Sequence, residues 1–351
     1  MTDFTAARIP EVDGEGVRRA RERAGSLLMP QRALGRLLDL GEKVAGIVGF
    51  PIPDLSPKTI VVMAGDHGVV EEGVSAYPAK VTGQMVRGFV SGHAGINVLC
   101  RHAGIGVRVV DMGCRADFSD LIAAGAVLDA KVAPGTANMR RQPAMSRGQA
   151  ALCIERGAAI ARGLAVEGVR MLGTGDMGIG NTTPSAAIAA VVTGRAVEEC
   201  TGRGTGIDDS RLAHKALIIR QSIEARQPNP HDPLDILSKI GGFEIGGIAG
   251  FILGAAESRI PVVIDGVIST AAAVIAWLME PRLAHFMFAA HRSVEPAQAA
   301  MLSLMGLEPI LDLGMRLGEG TGCALAMPII EAGAKVLREM ATFAEAGVSQ
   351  A

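Results

Sequence analysis

Short apolar runs alternate with longer stretches of helical periodicity along most of the chain. Five runs predict strands, at residues 59–64, 105–112, 260–264 and 283–289 and from residue 169 onwards. Continuous apolar runs are typical of strands that are buried on both faces. Because helical patterns separate these runs, the sequence predicts an α/β fold with a parallel sheet and right-handed crossovers.

The helical patterns fall on both sides of most of the predicted strands. They cover residues 13–49 with a break at Pro30, then 79–90, 94–102, 145–164, 210–226, 233–240, 243–257 and 323–343, together with an alanine-rich run after Pro184. The proline-rich segment 50–57 predicts a linker between a small N-terminal part and the main domain. Residues 115–145 carry no clear pattern, and residues 309–313 predict an extended segment.

A glycine-rich turn follows the apolar run at residue 169. Gly173, Gly175, Gly178 and Gly180 lie in it, and Asn181-Thr182-Thr183 leads into the alanine-rich helix. Glycine lets the backbone approach a ligand closely, and the unpaired N–H groups of a helix start attract anions. This pattern favours a phosphate site, although a tight strand-to-helix turn with an ordinary cap gives the same sequence.

The spacing Gly173-x-Gly175-x-x-Gly178 also fits a dinucleotide-binding fingerprint. That alternative, an NAD-dependent oxidoreductase, needs an acidic residue after a second strand about 20 positions further on. Glu198 and Glu199 have the right separation but lie in a sequence that forms strands poorly. The fingerprint alone is therefore weak support for a dehydrogenase.

Further polar candidates follow glycines or the ends of predicted strands. Asp or His follows most strands, at Asp66-His67, Asp111, Asp176, Asp265 and His291. In parallel sheets ligands bind beyond the carboxyl ends of the strands, so the recurrence favours a site at that edge.

Two other features each leave two interpretations open. The cluster 201–206 and the following helix place Arg203 and Lys215 either on the same phosphate or on a solvated surface. Glu319 lies between Gly318 and Gly320, either as a surface turn residue or at the edge of a pocket. In a pocket, burial raises the pKa of a carboxylate and makes it a better base near neutrality.

Composition narrows the class of protein. The 351 residues include 36 acids and 34 bases, for a net charge of −2, and aromatic residues make up 3%. Nucleic-acid binding usually needs a basic excess or aromatic stacking surfaces, so nucleic acid is not an expected partner. Five scattered cysteines and the absence of HExxH, CxxC and GxSxG motifs disfavour a metal site and nucleophilic hydrolysis. With no membrane span or export signal recognised, a cytoplasmic location is the expectation.

Several segments together resemble one enzyme family, the nicotinate-nucleotide:dimethylbenzimidazole phosphoribosyltransferases of cobalamin lower-ligand synthesis. The resemblance runs from about residue 34 to the C-terminal helix, with the motifs in the same order. The matching segments are AGDHGV (64–69), GVSAYP (73–78), VTGQM (81–85), GDMGIGNTT (175–183), TGRGTG (201–206), GGFEI (241–245), Asp265-Gly266, AHRS (290–293) and LGEGTG (317–322).

The resemblance implies a reaction and a set of site residues. Nicotinate mononucleotide and 5,6-dimethylbenzimidazole, or a related base, give an α-riboside 5′-phosphate and nicotinate, with Glu319 as the catalytic base. Phosphate and ribose contacts are implied for Gly175, Asp176, Met177, Gly178, Ile179, Gly180, Asn181, Thr182, Thr183, Gly204 and Lys215. Base contacts are implied for Ser75, Tyr77, Pro78, Gln84, Asp265 and His291.

The resemblance also implies an architecture and an assembly. A Rossmann-like catalytic domain, residues 58–322, is expected beside a small helical domain formed from residues 1–57 and 323–351. A homodimer is expected, with small molecules as the other partners and no metal or redox cofactor. The chain departs from the common family pattern in two places, at Ala79-Lys80 on the rim of the base pocket and at Asp176 in place of Glu. Either difference could alter which base is accepted.

Overall fold

Six parallel strands form a single sheet in the computed structural model, which describes residues 9–349. The strands are β1 (Lys58–Gly65), β2 (Gly106–Gly113), β3 (Leu128–Asp129), β4 (Met171–Met177), β5 (Val262–Ile264) and β6 (Met287–Ala289). Their order is β3-β2-β1-β4-β5-β6. The chain first builds outward from β1 on one side and then continues on the other side with β4. In such a doubly wound sheet the ligand crevice lies at this switch point, beyond the carboxyl ends of β1 and β4.

Helices cover the sheet, and the predicted α/β class with a parallel sheet flanked by helices is confirmed. The helices are α1 (Gly14–Ser26), α2 (Arg36–Val48), α3 (Val81–Ser91), α4 (Gly95–Ala103), α5 (Ser119–Ala123), α6 (Arg147–Val166), α7 (Thr182–Thr193), α8 (Val197–Cys200), α9 (Asp209–Arg226), α10 (Pro233–Ile240), α11 (Phe243–Glu257), α12 (Val267–Met279), α13 (Ala297–Met305), α14 (Thr321–Glu339) and α15 (Phe343–Ala346). Among the described residues, no helix is long and apolar enough to cross a bilayer.

The main differences from the predicted elements lie near the C-terminus. The last predicted strand begins later than expected, because Pro281–His285 forms a 3-10 turn before β6. The extended segment 309–313 forms only an isolated bridge, between Leu311 and His291. The predicted helix 323–343 ends at Glu339, since Met340 is extended and Thr342 caps the separate helix α15.

The predicted glycine loop is shorter than its sequence indicates, because β4 continues through Gly173 and Gly175. At Gly175 a Cβ atom would lie 2.4 Å from the carbonyl oxygen of Glu319, and at Gly173 it would lie 2.9 Å from the Met327 side chain. These two glycines therefore let the C-terminal segment pack directly on the strand. Only Gly178 and Gly180 remain for the turn before α7.

The N-terminal helices pack against the C-terminal helix. Gly41 of α2 and Gly333 of α14 lie so close that a Cβ at Gly41 would be 2.6 Å from the Gly333 carbonyl oxygen. The start of α14 lies on the sheet, where Cys323 Sγ is 3.3 Å from the Thr174 carbonyl oxygen. One continuous helix thus connects the sheet to α1 and α2. The division into domains at residues 57/58 and 322/323 stays a prediction.

Candidate active site

A cavity of about 560 Å³ lies at the carboxyl edge of the sheet. Most of the predicted site residues line it. Those on its wall are Ser75, Tyr77, Asp176, Met177, Gly178, Ile179, Gly180, Asn181, Thr182, Gly204, His291 and Glu319. Gly175, Thr183, Lys215 and Asp265 lie behind the wall, while Pro78 and Gln84 do not border the cavity. Two groups of polar residues dominate its chemistry.

The first group, the lysine cluster, consists of Thr182, Gly204, Lys215 and Glu295. Lys215 is fully buried, and its Nζ donates to Thr182 Oγ1 at 2.7 Å and to the Gly202 carbonyl oxygen at 3.0 Å. Burial lowers the pKa of Lys215 to about 8, and the nearby Glu295 carboxylate partly opposes that shift. The start of α7 lies beside it, where the Thr183 N–H donates to the Gly180 carbonyl oxygen at 3.0 Å and Pro184 has no N–H. The positive end of the helix dipole and the Lys215 charge therefore meet at one place on the wall.

Glu295 is a member of this cluster that the sequence analysis did not single out. It is buried, it lines the cavity, and its Oε1 accepts a hydrogen bond of 2.8 Å from the Gly204 backbone. Gly202 allows this approach, because a Cβ there would lie 2.0 Å from Glu295 Oε2. The sequence could have indicated Glu295 as a site residue, because it lies four residues after His291, just beyond the end of a predicted strand.

The second group, the carboxylate cluster, consists of Asp176, Asp265, His291 and Glu319. Glu319 is 6% exposed and lines the cavity. Its backbone is left-handed, with φ of 64°, between Gly318 and Gly320, which are left-handed too. Its Oε2 accepts a hydrogen bond of 3.1 Å from the Ile96 N–H at the start of α4. Burial raises the pKa of Glu319, and this hydrogen bond partly opposes the rise.

Asp176 sits below the turn that precedes α7. Its Oδ2 accepts a hydrogen bond of 2.9 Å from Asn181 Nδ2, so the Asn181 side chain holds Asp176 and does not cap α7. Asp176 Oδ1 is buried and has no hydrogen-bond partner among residues 9–349. Burial is the main cause that raises the pKa of Asp176 well above its usual range. Repulsion from the carboxylates of Asp265 and Glu244 raises it further.

His291 and Asp265 lie next to each other but differ in their access to the cavity. The His291 ring is buried in the cavity wall, and neither ring nitrogen has a hydrogen-bond partner within the described part of the chain. Its Nδ1 lies 3.7 Å from Asp265 Oδ1, which is beyond hydrogen-bond range. Asp265 is fully buried behind the wall, and both of its oxygens accept hydrogen bonds from the backbone of residues 320 and 322.

The predicted base-binding residues divide between two surfaces. Ser75 and Tyr77 line the main cavity, and Ser75 is held by Thr205, with 3.3 Å between the hydroxyl oxygens. Gln84 lines a separate depression, which also includes Ala79 and Lys80. The two positions at which the chain differs from the family pattern at 79–80 therefore border that depression and not the main cavity.

Apolar side chains that the sequence analysis did not select complete the main cavity. Val74, Val81 and Met85 lie on its wall. Val81 and Met85 are four residues apart on α3, so they share a helix face, whereas Gln84 points to another side. Helical period alone does not separate Met85 from Gln84, since residues three and four after Val81 both lie near its helix face.

A cavity at the switch point of a doubly wound sheet, with apolar walls and with a glycine turn at a helix start beside buried carboxylates, is typical of enzymes that act on nucleotides. A sequence profile described as "Phosphoribosyltransferase" matches residues 9–348. The nicotinate-nucleotide–dimethylbenzimidazole phosphoribosyltransferase of Geotalea uraniireducens is 53% identical to this chain, over 98% of this chain and 97% of the relative. The enzyme of that name from Desulforudis audaxviator is 51% identical, over 99% and 98%.

Solved structures agree with these relatives. The crystal structure of the corresponding enzyme from Thermus thermophilus has a TM-score of 0.91 and 42% identity, over 97% of this chain and 100% of that chain. The chain therefore belongs to the nicotinate-nucleotide–dimethylbenzimidazole phosphoribosyltransferase family, and it is an enzyme. These comparisons do not support the NAD-dependent oxidoreductase, whose fingerprint glycines Gly173 and Gly175 lie inside β4 and whose acidic candidates Glu198 and Glu199 lie on α8.

Proposed function

We propose that the protein transfers the ribose 5-phosphate of nicotinate mononucleotide to 5,6-dimethylbenzimidazole or a related base, releasing nicotinate. The observation that carries this proposal is the shared cavity. It is bordered by an anion-binding cluster around Lys215 and by a buried carboxylate, Glu319, whose pKa is raised. A phosphorylated donor and a base that must lose a proton need these two groups.

The donor's phosphate binds at the lysine cluster. The turn Gly178–Asn181 and the positive end of the α7 dipole face it, and the Lys215 ammonium supplies charge from behind the Thr182 hydroxyl. A dianionic phosphate stabilises the charged form of Lys215, whose pKa burial has lowered to about 8. The polar atoms of Asp176 and His291 that have no hydrogen-bond partner among the described residues are suited to the hydroxyls of the ribose.

The acceptor base lies against the apolar wall, with its N–H directed at Glu319. One ring nitrogen attacks the anomeric carbon as the bond to the nicotinate nitrogen breaks, and the electron pair of that bond neutralises the pyridinium. Glu319 takes the proton from the other ring nitrogen of the acceptor. Attack from the face opposite the leaving group inverts β to α, through a transition state with oxocarbenium character. Holding both bases on one ribose supplies much of the rate enhancement.

The finer assignments follow from the family resemblance and belong to the same proposal. The enzyme acts in the cytoplasm, in assembly of the cobalamin nucleotide loop, and works as a homodimer. Size-exclusion chromatography with light scattering tests the dimer: a mass of twice the 36.3 kDa chain supports it, and a monomer at micromolar concentration contradicts it.

One experiment tests the reaction itself. The protein is incubated with nicotinate mononucleotide and a panel of benzimidazoles, purines and phenols, and products are followed by mass spectrometry and proton NMR. We expect free nicotinate and an α-riboside phosphate in equal amounts, formed only when both substrates are present. No nicotinate with any acceptor, or a β-configured product, would contradict the proposal.

A further inference from the structure

Asp265 lies at the carboxyl end of β5, behind the cavity wall. Its Oδ2 accepts a hydrogen bond of 3.0 Å from the Gly320 N–H, and its Oδ1 accepts one of 2.7 Å from the Gly322 N–H. These N–H groups belong to the start of α14, where Gly320 occupies the N-cap position and no side-chain cap is made locally. Asp265 therefore caps this helix from a distant strand, with its charge at the positive end of the helix dipole.

The segment that Asp265 holds, residues 318–322, is the Glu319 turn. Gly318, Glu319 and Gly320 have φ values of 81°, 64° and 94°, so a residue with a side chain lies in the left-handed region between two glycines. Such a conformation persists only where the surroundings over-determine it. The turn is also tightly enclosed, because a Cβ at Gly320 would lie 2.6 Å from Ile60 Cγ2.

A direct contact between Asp265 and a ligand does not fit this geometry. The residue is fully buried, it is not on the cavity wall, and both oxygens are already engaged with backbone donors. Glu319, by contrast, reaches the cavity, and its carboxylate is fixed at the other side by the Ile96 N–H. Asp265 therefore holds the backbone of residues 320 and 322, and the same turn carries the Glu319 side chain into the cavity.

We infer that Asp265 is a positioning residue for the phosphoribosyl transfer, acting through the Glu319 turn and not by direct contact with the base or the ribose. This inference rests on the proposed function, in which Glu319 is the base. A base displaced by about 1 Å can lose roughly two orders of magnitude in rate, because the proton must pass over a short, aligned contact.

The decisive test is a double-mutant cycle with Asp265→Asn and Glu319→Gln. The amide in Asp265→Asn keeps one acceptor but turns an NH₂ group toward the second backbone N–H. We expect kcat to fall about 10- to 100-fold while KM for nicotinate mononucleotide changes less than about threefold. In the Glu319→Gln background, Asp265→Asn is expected to slow turnover by less than about twofold. Full additivity of the two effects would overturn the inference.

Asp111→Asn is the matched control. Asp111, one of the strand-end residues of the sequence analysis, is also fully buried but does not line the cavity, and its Oδ1 accepts a hydrogen bond of 2.8 Å from the Cys114 N–H, away from the Glu319 turn. We expect it to lower the melting temperature but to leave kcat within about twofold of the parent. If Asp265→Asn is not recovered folded, Asp265→Glu enters the same cycle, since it keeps the charge and moves both acceptors by one methylene.

A crystal structure of the Asp265→Asn variant gives a readout that does not depend on activity. We expect the Glu319 carboxylate to leave the Ile96 N–H, and an unmoved Glu319 turn would overturn the inference. If the unmodified protein released no nicotinate, the proposed function would fail, yet this structure would still decide whether Asp265 positions the turn.

Discussion

The lysine cluster and the carboxylate cluster border one cavity, and burial acts on them in opposite directions. Burial lowers the pKa of Lys215 to about 8, whereas it raises the pKa of both Glu319 and Asp176. In each case the charged form lacks the water that would stabilise it. One physical cause therefore supports two roles: a bound phosphate stabilises the charged form of Lys215, and a substrate proton neutralises Glu319.

The largest expected effect comes from removing the base. Glu319→Gln keeps an oxygen that can accept from the Ile96 N–H but cannot accept a proton from the substrate. Turnover should fall by roughly 10²–10⁴, while the dissociation constants of both substrates change little. Steady-state kinetics and calorimetry measure the two quantities.

Glu345→Gln is the control for this change. Glu345 also accepts a backbone hydrogen bond at a helix start, of 2.7 Å from the Thr342 N–H, but it is exposed and does not line the cavity. Its variant should retain the parent turnover. Near-parent kcat in Glu319→Gln would remove Glu319 from the mechanism and leave it as a helix cap.

The next effect concerns the lysine cluster. Lys215→Met removes a buried charge of similar length, and the loss of charge-assisted binding, about 1.5–3 kcal/mol, should lower kcat/KM for nicotinate mononucleotide roughly 10- to 150-fold. The change should appear mainly in KM, because phosphate binding contributes to the ground state as well as to the transition state. Initial rates over a range of donor concentrations measure it.

Lys43→Met provides a closely matched comparison. Lys43 is partly buried, desolvation lowers its pKa to about 8 as well, and its Nζ donates to backbone carbonyl oxygens of Ala284 and Met287, away from the cavity. Both variants should change the melting temperature, but only Lys215→Met should raise KM. Equal KM values in the two variants would show that Lys215 is a structural residue.

The pH profile should separate the two clusters. On the acid side, kcat/KM should rise with pH as Glu319 loses its proton, at a pH above the ordinary carboxylate range because its pKa is raised. On the alkaline side, it should fall about tenfold per pH unit above about 8, as Lys215 loses its charge in the free enzyme. The alkaline limb should vanish in Lys215→Met.

The acid limb needs one further distinction, because the donor phosphate takes up its second proton near pH 6. The Glu319→Gln variant separates the two titrations. The part of the acid limb that remains in this variant belongs to the phosphate, and the part that disappears belongs to Glu319. An unchanged acid limb would contradict the assignment of Glu319 as the base.

The smallest expected effect tests the apolar wall. Met85→Ala should raise KM for dimethylbenzimidazole by about three- to tenfold, because it removes apolar contact from the cavity. Gln84→Ala, one residue away on the same helix, should leave KM unchanged, since Gln84 lines the separate depression. The reverse ranking would show that the base binds at the Gln84 surface.

Local signals predict the elements of the fold but not all of their contacts. The sequence predicts the helices Pro233–Ile240 and Phe243–Glu257 to the residue, since capping and periodicity are local. It does not predict the extension of β4 through Gly173 and Gly175. Those glycines are needed because Glu319 and Met327, which are distant in sequence, pack directly against them.

The site shows the same limit. A glycine-flanked Glu319 and a glycine turn before α7 are visible in the sequence. The place of Asp265 behind the Glu319 turn, and of Glu295 beside Lys215, depends on loops that meet only in the folded protein. Which of Gln84 and Met85 faces the cavity depends on the rotation of α3, and helical period does not decide it, because residues three and four after Val81 both lie near its face.

The most direct test of the account is a crystal structure of the Glu319→Gln variant with nicotinate mononucleotide and dimethylbenzimidazole. We predict the phosphate on the Gly178–Asn181 turn and the start of α7, beside Lys215. We also predict a ring nitrogen of the acceptor within hydrogen-bond distance, about 3 Å, of the residue 319 amide. A phosphate bound elsewhere, or an acceptor ring beyond reach of residue 319, would contradict the account.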